Sequence, residues 1–408
     1  MTRINASRVL APLTIAWALQ FVGAAAPAAV RSEDSPVQVF LLVGQSNMQG
    51  KGKLDHLRQL ATDPETAERY GHLIQPDGSW VVRDDVWIWY MGKTGALTVG
   101  YASPEDRFGP ELEIGHLLGE AIDAPVLLIK IAWGGKSLAV DFRPPGAGGE
   151  VGPFYTEVLK HTREVLADLG AVFPKLAGRT HELEGLIWFQ GWNDRVNQEH
   201  NDAYEGNLAH LIRDLRKDLE SPQLPFVIGE TGQGGVNETH PRALSLMKAQ
   251  AAVALYDEFR GNVAFVETKH FYDEEPRHDG GYHFFGNAAN FFRIGDALGR
   301  GMLELRRGAA RRRIAREHIL EIDEALRSFA VLNSGHYPET LELLVTPDAN
   351  GATFLPRTEL PRDPWGNEYI YMGPADGRPH ELLSYGADGR KGGVGAAADI
   401  TLSDARGR

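Results

Sequence analysis

A serine and a histidine occupy positions from which they could act together on an ester. Ser46 comes shortly after the apolar run Val37–Val43, and His283 lies in a glycine-containing loop before a predicted helix that starts at Phe285. A serine hydroxyl becomes a nucleophile when a neighbouring imidazole takes its proton. Serines in turns and histidines in loops are also common without a catalytic role. These two residues therefore predict acyl transfer only together with other groups.

Two further loops supply hydrogen-bond donors of the kind that acyl transfer needs. The apolar run Pro125–Ala132 leads to the pair Gly134 and Gly135, and the run Leu183–Phe189 leads to Asn193. Glycine lets a backbone N–H approach a ligand closely, and an asparagine amide adds a side-chain donor. We expect such donors to hold the oxyanion of a tetrahedral intermediate. A plain glycine turn is the alternative.

Composition excludes several other classes of chemistry. The 408 residues contain 42 Lys+Arg and 55 Asp+Glu, which gives a formal net charge of −13, and they contain no cysteine. Disulfides, cysteine-ligated metals and a thiol nucleophile are thereby excluded. The acidic balance argues against a nucleic-acid partner, since phosphates need a broad basic surface. Any chemistry must therefore rest on Ser, His, Asp, Glu, Lys or Tyr side chains.

Strands and helices alternate along the first three quarters of the chain. Continuous apolar runs predict buried parallel strands at Val37–Val43, Pro125–Ala132, Leu183–Phe189, Pro225–Gly229 and Val263–Glu267. Helices are predicted between and after them, at Tyr155–Leu169, Asp202–Leu219, Arg242–Phe259 and Phe285–Leu305. The pattern predicts an α/β fold, a three-layer α/β/α sandwich on a parallel sheet. Ligands bind beyond the carboxyl ends of such strands, where the four loops lie.

The first 29 residues resemble a secretory signal peptide. Arg3 and Arg8 precede the apolar stretch Val9–Gly23, and the small residues Ala24–Ala29 follow it. We expect cleavage near this alanine-rich end and a secreted or periplasmic protein with no membrane span in its mature chain. A retained anchor is the alternative, but the apolar stretch is shorter than the roughly 20 residues that a span needs.

A second, smaller unit follows an arginine-rich stretch. Six arginines lie between Arg306 and Arg316, and an amphipathic helix is predicted from Ile314 to about Leu332. We interpret the arginines as a solvated helix face and linker, with an anionic-partner site as the alternative. The predicted domains are therefore residues 35–308 and 315–408, the second a small α+β unit.

The four loops together resemble the SGNH hydrolases, and among them the sialic-acid-type acetylesterases of carbohydrate esterase family 6. The matching blocks read VGQSNMQG, AWGGKS, WFQGWND and GYHFFGNA, and FGPE at Phe108–Glu111 also fits. The resemblance implies that Ser46 is the nucleophile and His283 the base, with an oxyanion hole from the Ser46 N–H, Gly134 or Gly135, and Asn193. Substrate-binding residues on the same blocks would be Gln45, Gly134, Gln190 and Trp192.

The chain departs from that family at two places. Relatives commonly carry Asp three residues before the histidine, where this chain has Gly280, and many carry Glu where it has Trp192. A carboxylate would orient the imidazole and stabilise its charged form. Asp279, four residues before His283, is our candidate, followed by Glu275 and Glu230; a Ser–His dyad is the alternative.

The C-terminal unit resembles the globular part of the type II secretion major pseudopilin. The blocks NSGHYP, LPRDPWGN and SYGADG occur in the order typical of that family. The resemblance implies a structural calcium held by Ser384, Asp388 and Asp399, although Ala397 replaces a further Asp. The long hydrophobic helix that builds filaments is replaced here by the esterase-like domain. A docking module with a secretion-system or envelope partner is therefore the expectation.

These observations lead to one functional hypothesis and two alternatives. The chain is expected to be a serine esterase that removes O-acetyl groups from carbohydrates such as sialate, with no cofactor for catalysis. A non-catalytic carbohydrate-binding or secretion-associated adaptor on a decayed esterase fold is the first alternative, and acyl transfer to a sugar is the second. The sequence does not identify the acetylated sugar.

Overall fold

A seven-stranded sheet forms the centre of the protein. The structure, a computed structural model, describes residues 35–375 and 378–407, so the expected signal peptide lies outside the described residues. In chain order the strands are β1 (Val37–Gly44), β2 (Val86–Tyr90), β3 (Lys93–Ala96), β4 (Val126–Ala132), β5 (His181–Phe189), β6 (Phe226–Gly229) and β7 (Val263–Val266). Their spatial order is β3-β2-β4-β1-β5-β6-β7. All neighbours are parallel except the β2–β3 hairpin.

The register aligns the carboxyl ends of the three central strands. Gly44, at the end of β1, pairs with Ala132 of β4 on one side and with Phe189 of β5 on the other. The segments that follow these strands therefore leave the sheet at the same level. Because the chain winds outward from β1 in both directions, this edge is the switch point at which α/β sheets bind ligands.

Helices cover both faces of the sheet and complete the predicted three-layer sandwich. The helices of eight or more residues are α1 (Leu54–Thr62), α2 (Glu111–Ala121), α3 (Pro153–Ala167), α4 (Gln198–Asp218), α5 (Pro241–Val253) and α6 (Ala288–Leu332). One core holds α3, α4 and α5 against the side chains of Val39 and Leu41, and the other holds α1, α2 and α6 against Phe40 and Leu42. The alternation along β1 explains why its sequence is apolar throughout.

The last helix differs from the sequence-based prediction. Two helices with an arginine-rich linker were expected, whereas α6 runs without interruption for 45 residues from Ala288 to Leu332. Alanine and arginine favour helix, and Gly308 alone does not break it. Arg306 and Arg312 are not freely solvated: Arg306 pairs with Glu184, and Arg312 donates to the carbonyls of Gly395 and Ala398.

The second half of α6 forms the core of the C-terminal unit. A three-stranded antiparallel sheet, β8 (Ile370–Met372), β9 (Glu381–Ser384) and β10 (Ile400–Thr401), packs with it. The buried residues include Ile319, Ile322 and Leu326 of the helix with Leu382 and Ile400 of the sheet. No helix in the described part of the chain is both long and apolar enough to cross a membrane.

Candidate active site

Ser46 begins a single helical turn at the carboxyl end of β1. The turn spans Ser46–Gln49 and ends at Gly50, whose φ of 97° suits glycine. A side chain at Gly44 would also meet the Phe189 carbonyl, since a Cβ there would lie 2.2 Å from that oxygen. The two glycines thus let the chain turn sharply off the sheet. The first N–H groups of a helical turn have no partner within it, which leaves the Ser46 N–H free of the turn's own bonding.

Asp279 and His283 form a hydrogen-bonded pair in the late loop. The Nδ1 of His283 lies 3.0 Å from Oδ2 of Asp279, and the other carboxylate oxygen accepts the Gly280 N–H at 2.7 Å. With Nδ1 occupied by the carboxylate, Nε2 is the ring nitrogen left for a serine hydroxyl. The next two residues, Phe284 and Phe285, have φ of 49° and 58°, a strained conformation of the kind found at functional sites.

The electrostatic surroundings favour a neutral His283. Burial lowers its pKa below the ordinary value, the Asp279 carboxylate opposes that shift, and the positive charges of Lys51 and Arg107 add to it. A neutral imidazole is the form that can accept the proton of a serine. The other carboxylate candidates are engaged elsewhere: Glu230 accepts the backbone N–H groups of Thr268 and Lys269, and Glu275 pairs with Arg277.

A direct contact joins the serine loop to the histidine loop. The side-chain amide of Asn47, which follows Ser46, donates to the backbone carbonyl of Tyr282, which precedes His283, at 3.1 Å. The contact spans 235 positions of sequence. The loops that carry Ser46 and His283 therefore meet at the carboxyl end of β1.

The glycine loop that carries the expected oxyanion donors contacts both the serine turn and Asn193. A Cβ on Gly134 would lie 3.9 Å from the Ser46 Cβ, which places this glycine beside the serine. The Asn193 amide nitrogen donates to the Gly135 carbonyl at 2.8 Å. An amide nitrogen carries two N–H groups, so one remains for a substrate oxygen. Gly135 itself has a φ of 71°, and no atom of the described residues lies within 4 Å of a Cβ built on it.

Gln45 and Gln190 are buried and bind protein groups. The Gln45 side-chain oxygen accepts the N–H groups of Gly191 and Asn193, and the Gln190 amide donates to the Lys136 carbonyl and to Asp194. Both side chains are almost completely inaccessible. Their contacts hold the loops after β1, β4 and β5 together, and substrate binding by these two residues stays a prediction.

Asp194 also joins these loops, a role that the sequence analysis did not predict. Its carboxylate is fully buried and accepts the backbone N–H groups of Leu138 and Ala139 at 2.8 and 2.9 Å. Burial raises its pKa, against the effect of these hydrogen bonds. Asp194 is part of the block WFQGWND, but its role in joining two loops follows only from its buried contacts.

An aromatic pair lies at the rim of the site. The rings of Trp192 and Tyr282 are 5.8 Å apart, and the Arg195 guanidinium lies 4.5 Å from the Trp192 ring centre. Tyr282 is half exposed and Trp192 is partly exposed. Exposed aromatic faces of this kind suit the apolar face of a sugar ring.

The three predicted calcium ligands in the C-terminal unit each make a hydrogen bond within the protein. The hydroxyl of Ser384 donates to Asp363, Asp388 accepts the Arg390 N–H, and both oxygens of Asp399 accept the Gly392 N–H. Within residues 35–375 and 378–407, no three His, Asp or Glu side chains converge as metal ligands. Calcium binding by Ser384, Asp388 and Asp399 stays a prediction.

The fold is an α/β/α sandwich on a mostly parallel sheet, and the family match assigns its class, the carbohydrate esterases. Residues 36–304, more than half of the chain, match the family of carbohydrate esterases described as sialic acid-specific acetylesterases. The chain belongs to this family. Residues 303–403 match protein G of the type II secretion system, so both resemblances seen in the sequence are confirmed.

Individual relatives cover one part of the chain each. Over 93 residues the chain is 40% identical to the type II secretion system core protein G of Vibrio cholerae, a match that covers 20% of this chain and 61% of that protein. A "probable carbohydrate esterase" of Arabidopsis thaliana is 26% identical over 217 residues, 50% of this chain and 73% of that protein. A crystal structure of an Arabidopsis thaliana protein covers 66% of this chain and 98% of its own, with 18% identity and a TM-score of 0.46.

Proposed function

We propose that the protein is a serine esterase that removes O-acetyl groups from carbohydrates through an acyl-enzyme. The observation that carries this proposal is the Asp279–His283 pair held against the Ser46 turn by the Asn47–Tyr282 hydrogen bond. It supports the proposal because it brings the loops of a serine and of a carboxylate-bound histidine to the edge where α/β sheets bind ligands. The family to which the chain belongs acts on carbohydrate esters.

The proposed reaction has two halves. Nε2 of His283 takes the Ser46 proton while Oγ bonds to the acetyl carbon, and the oxyanion accepts hydrogen bonds from the Ser46 N–H, Gly134 or Gly135, and Asn193. Collapse breaks the bond to the sugar oxygen, which leaves with the proton from His283. Water, deprotonated by the same imidazole, then attacks the acetyl-serine. The second intermediate breaks the bond to Oγ, which takes the proton back from His283, and acetate is released. The reaction needs no cofactor.

The C-terminal unit supports a second part of the proposal. Its match to a type II secretion protein suggests a docking module for a secretion-system or envelope partner. A secreted or periplasmic location for the esterase is consistent with that partner. Because α6 belongs to both units, a partner bound to the C-terminal unit would hold the esterase at a fixed orientation.

Ser46→Ala is the direct test of the proposed chemistry. We expect it to abolish hydrolysis of p-nitrophenyl acetate and acetate release from a panel of O-acetylated sialates and xylans. Ser79→Ala, at an exposed turn, is the matched control and should remain fully active. Retained hydrolysis in Ser46→Ala would disprove the nucleophile, and an inactive wild type that still binds glycans would favour the adaptor. Acetylated sugar products would instead indicate transfer.

A further inference from the structure

A lysine with its charge fully buried lies beneath the Ser46 turn. Lys130 interrupts the apolar run of β4, and its side chain and that of Glu111 are 0% and 1% exposed. Its Nζ donates to Glu111 Oε2 at 2.7 Å and to the carbonyls of Gln49 and Tyr101 at 2.8 and 2.7 Å. All three N–H groups of the ammonium are therefore used.

Stability alone does not explain this ion pair. Removing two charges from water is costly, and well-packed apolar residues of similar volume often stabilise a core equally well. What an apolar pair cannot supply is a donor to the Gln49 carbonyl. Gln49 is the last residue of the helical turn that Ser46 begins, so the lysine fixes the far end of the nucleophile turn.

Glu111 supports the same turn through a second contact. Its other oxygen accepts the Gly109 N–H at 2.9 Å. Gly109 in turn packs directly on Gly50. A Cβ built on Gly50 would lie 2.5 Å from the Gly109 nitrogen. The loop before α2 therefore packs against Gly50, which ends the Ser46 turn, and Glu111 holds that loop in place.

The Gln49 side chain connects the turn to the glycine loop. Its Oε1 lies 3.1 Å from the position that a Cβ on Gly134 would occupy, and its amide contacts the Tyr90 hydroxyl at 3.4 Å. A shift of Gln49 would therefore disturb both the serine and the expected oxyanion donor.

We propose that Lys130 and Glu111 are positioning residues for catalysis, which hold the Ser46 turn through the Gln49 carbonyl and the Gly109–Gly50 contact. The inference rests on the proposed esterase function. A misplacement of the reacting atoms by about 1 Å costs about a hundredfold in rate. The buried ion pair of Lys130 and Glu111 thus fixes the position of the Ser46 turn.

The test replaces both charges at once. We expect the double variant Lys130→Met/Glu111→Leu to unfold cooperatively, to hydrolyse p-nitrophenyl acetate with kcat about a hundredfold lower and to keep KM nearly unchanged. Labelling of Ser46 by a fluorophosphonate should slow in parallel. The acid limb of the pH profile should not move, because His283 and Asp279 are untouched. A purely structural role would change the unfolding temperature and leave kcat and the labelling rate at wild-type values, which would overturn the proposal.

A second variant covers the case in which the double variant fails to fold. Glu111→Gln keeps the volume, but its amide offers one acceptor oxygen where the carboxylate uses two. One contact is lost, and kcat should fall about tenfold, as for a weakened hydrogen bond. Wild-type kcat in folded Glu111→Gln would refute the inference.

The control is an ion pair at the opposite end of the sheet. Arg306→Met removes the 2.7 Å contact to Glu184 and should lower the unfolding temperature without changing kcat. A loss of kcat in this control comparable to that of the double variant would mean that any lost ion pair reduces activity, and the proposal would fall. If the wild type shows no Ser46-dependent hydrolysis, it is the proposed function that fails, whatever the variants do.

Discussion

The Asp279 carboxylate reaches Nδ1 of His283 across a spacing of four residues, at 3.0 Å. The His283 N–H donates to the Gly280 carbonyl at 2.9 Å, so the loop closes a tight turn between the two residues. Such a turn brings side chains four positions apart onto one side, as in a helix. A carboxylate therefore contacts His283 although Gly280 occupies the position three residues before it, as the proposed esterase function requires.

Asp279→Asn should impair turnover severely. The amide would favour the wrong tautomer of His283 and could not stabilise the imidazolium, so we expect kcat for p-nitrophenyl acetate to fall about 10³- to 10⁴-fold with little change in KM. Glu275→Gln, at an exposed carboxylate paired with Arg277, is the matched control and should behave as wild type. An Asp279→Asn enzyme within a few-fold of wild type would indicate a Ser–His dyad.

The pH profile should report the lowered pKa of His283. Only the neutral imidazole accepts a proton, so kcat/KM should decline as the pH falls through this pKa. Because burial holds the pKa below the ordinary value of 6.5, the acid limb should lie below pH 6.5.

Asp279→Asn removes a charge that raises the pKa of His283 and should shift the acid limb to lower pH. Lys51→Met removes one that lowers it and should shift the limb upward. Shifts in the same direction would contradict this electrostatic account.

Asn193→Ala should reduce kcat more than KM. Its amide bonds to the Gly135 carbonyl and has a second N–H for the oxyanion, which develops only in the transition state. Loss of one such donor costs about 10²- to 10³-fold in kcat. Asn197→Ala, which removes the cap of helix α4, is a suitable control because it should lower stability alone. Equal effects on kcat in the two variants would argue against an oxyanion role.

Continuous apolar runs made most of the sheet predictable from the sequence. β1 and β4 are buried on both faces, and their residues are apolar at nearly every position. The β2–β3 hairpin was not predicted. Its edge strand Lys93–Ala96 is exposed or half-buried and has no apolar pattern, whereas the apolar run of the buried strand β2 was an available signal that the prediction overlooked. Helix α2 was also not predicted. Its buried face includes the polar residues Glu111, Glu113 and His116, which interrupt the apolar pattern expected of a buried face.

The sequence predicted which loops form the candidate site, but not the side-chain contacts that hold those loops together. The residue types after each buried strand indicated Ser46, Asn193 and His283, because those loops must meet at one edge. The bracing by Asp194 and Lys130 could not be predicted, since a charged residue reveals its partners only when packing buries it. Lys130 within an apolar run was the one available signal.

The shared helix α6 offers a stability prediction from its glycines. Gly308 lies in the helix interior, and a Cβ there would meet no atom within 4 Å, whereas a Cβ on Gly295 would lie 2.7 Å from the Pro110 carbonyl. Alanine loses less backbone entropy than glycine on folding, so Gly308→Ala should stabilise the protein by about 0.5–1 kcal/mol. Gly295→Ala gains the same entropy term but forces backbone apart and should destabilise. Urea unfolding of both variants checks the pair: a Gly308→Ala midpoint at or below that of wild type would mean that α6 is not a continuous helix through residue 308 in solution.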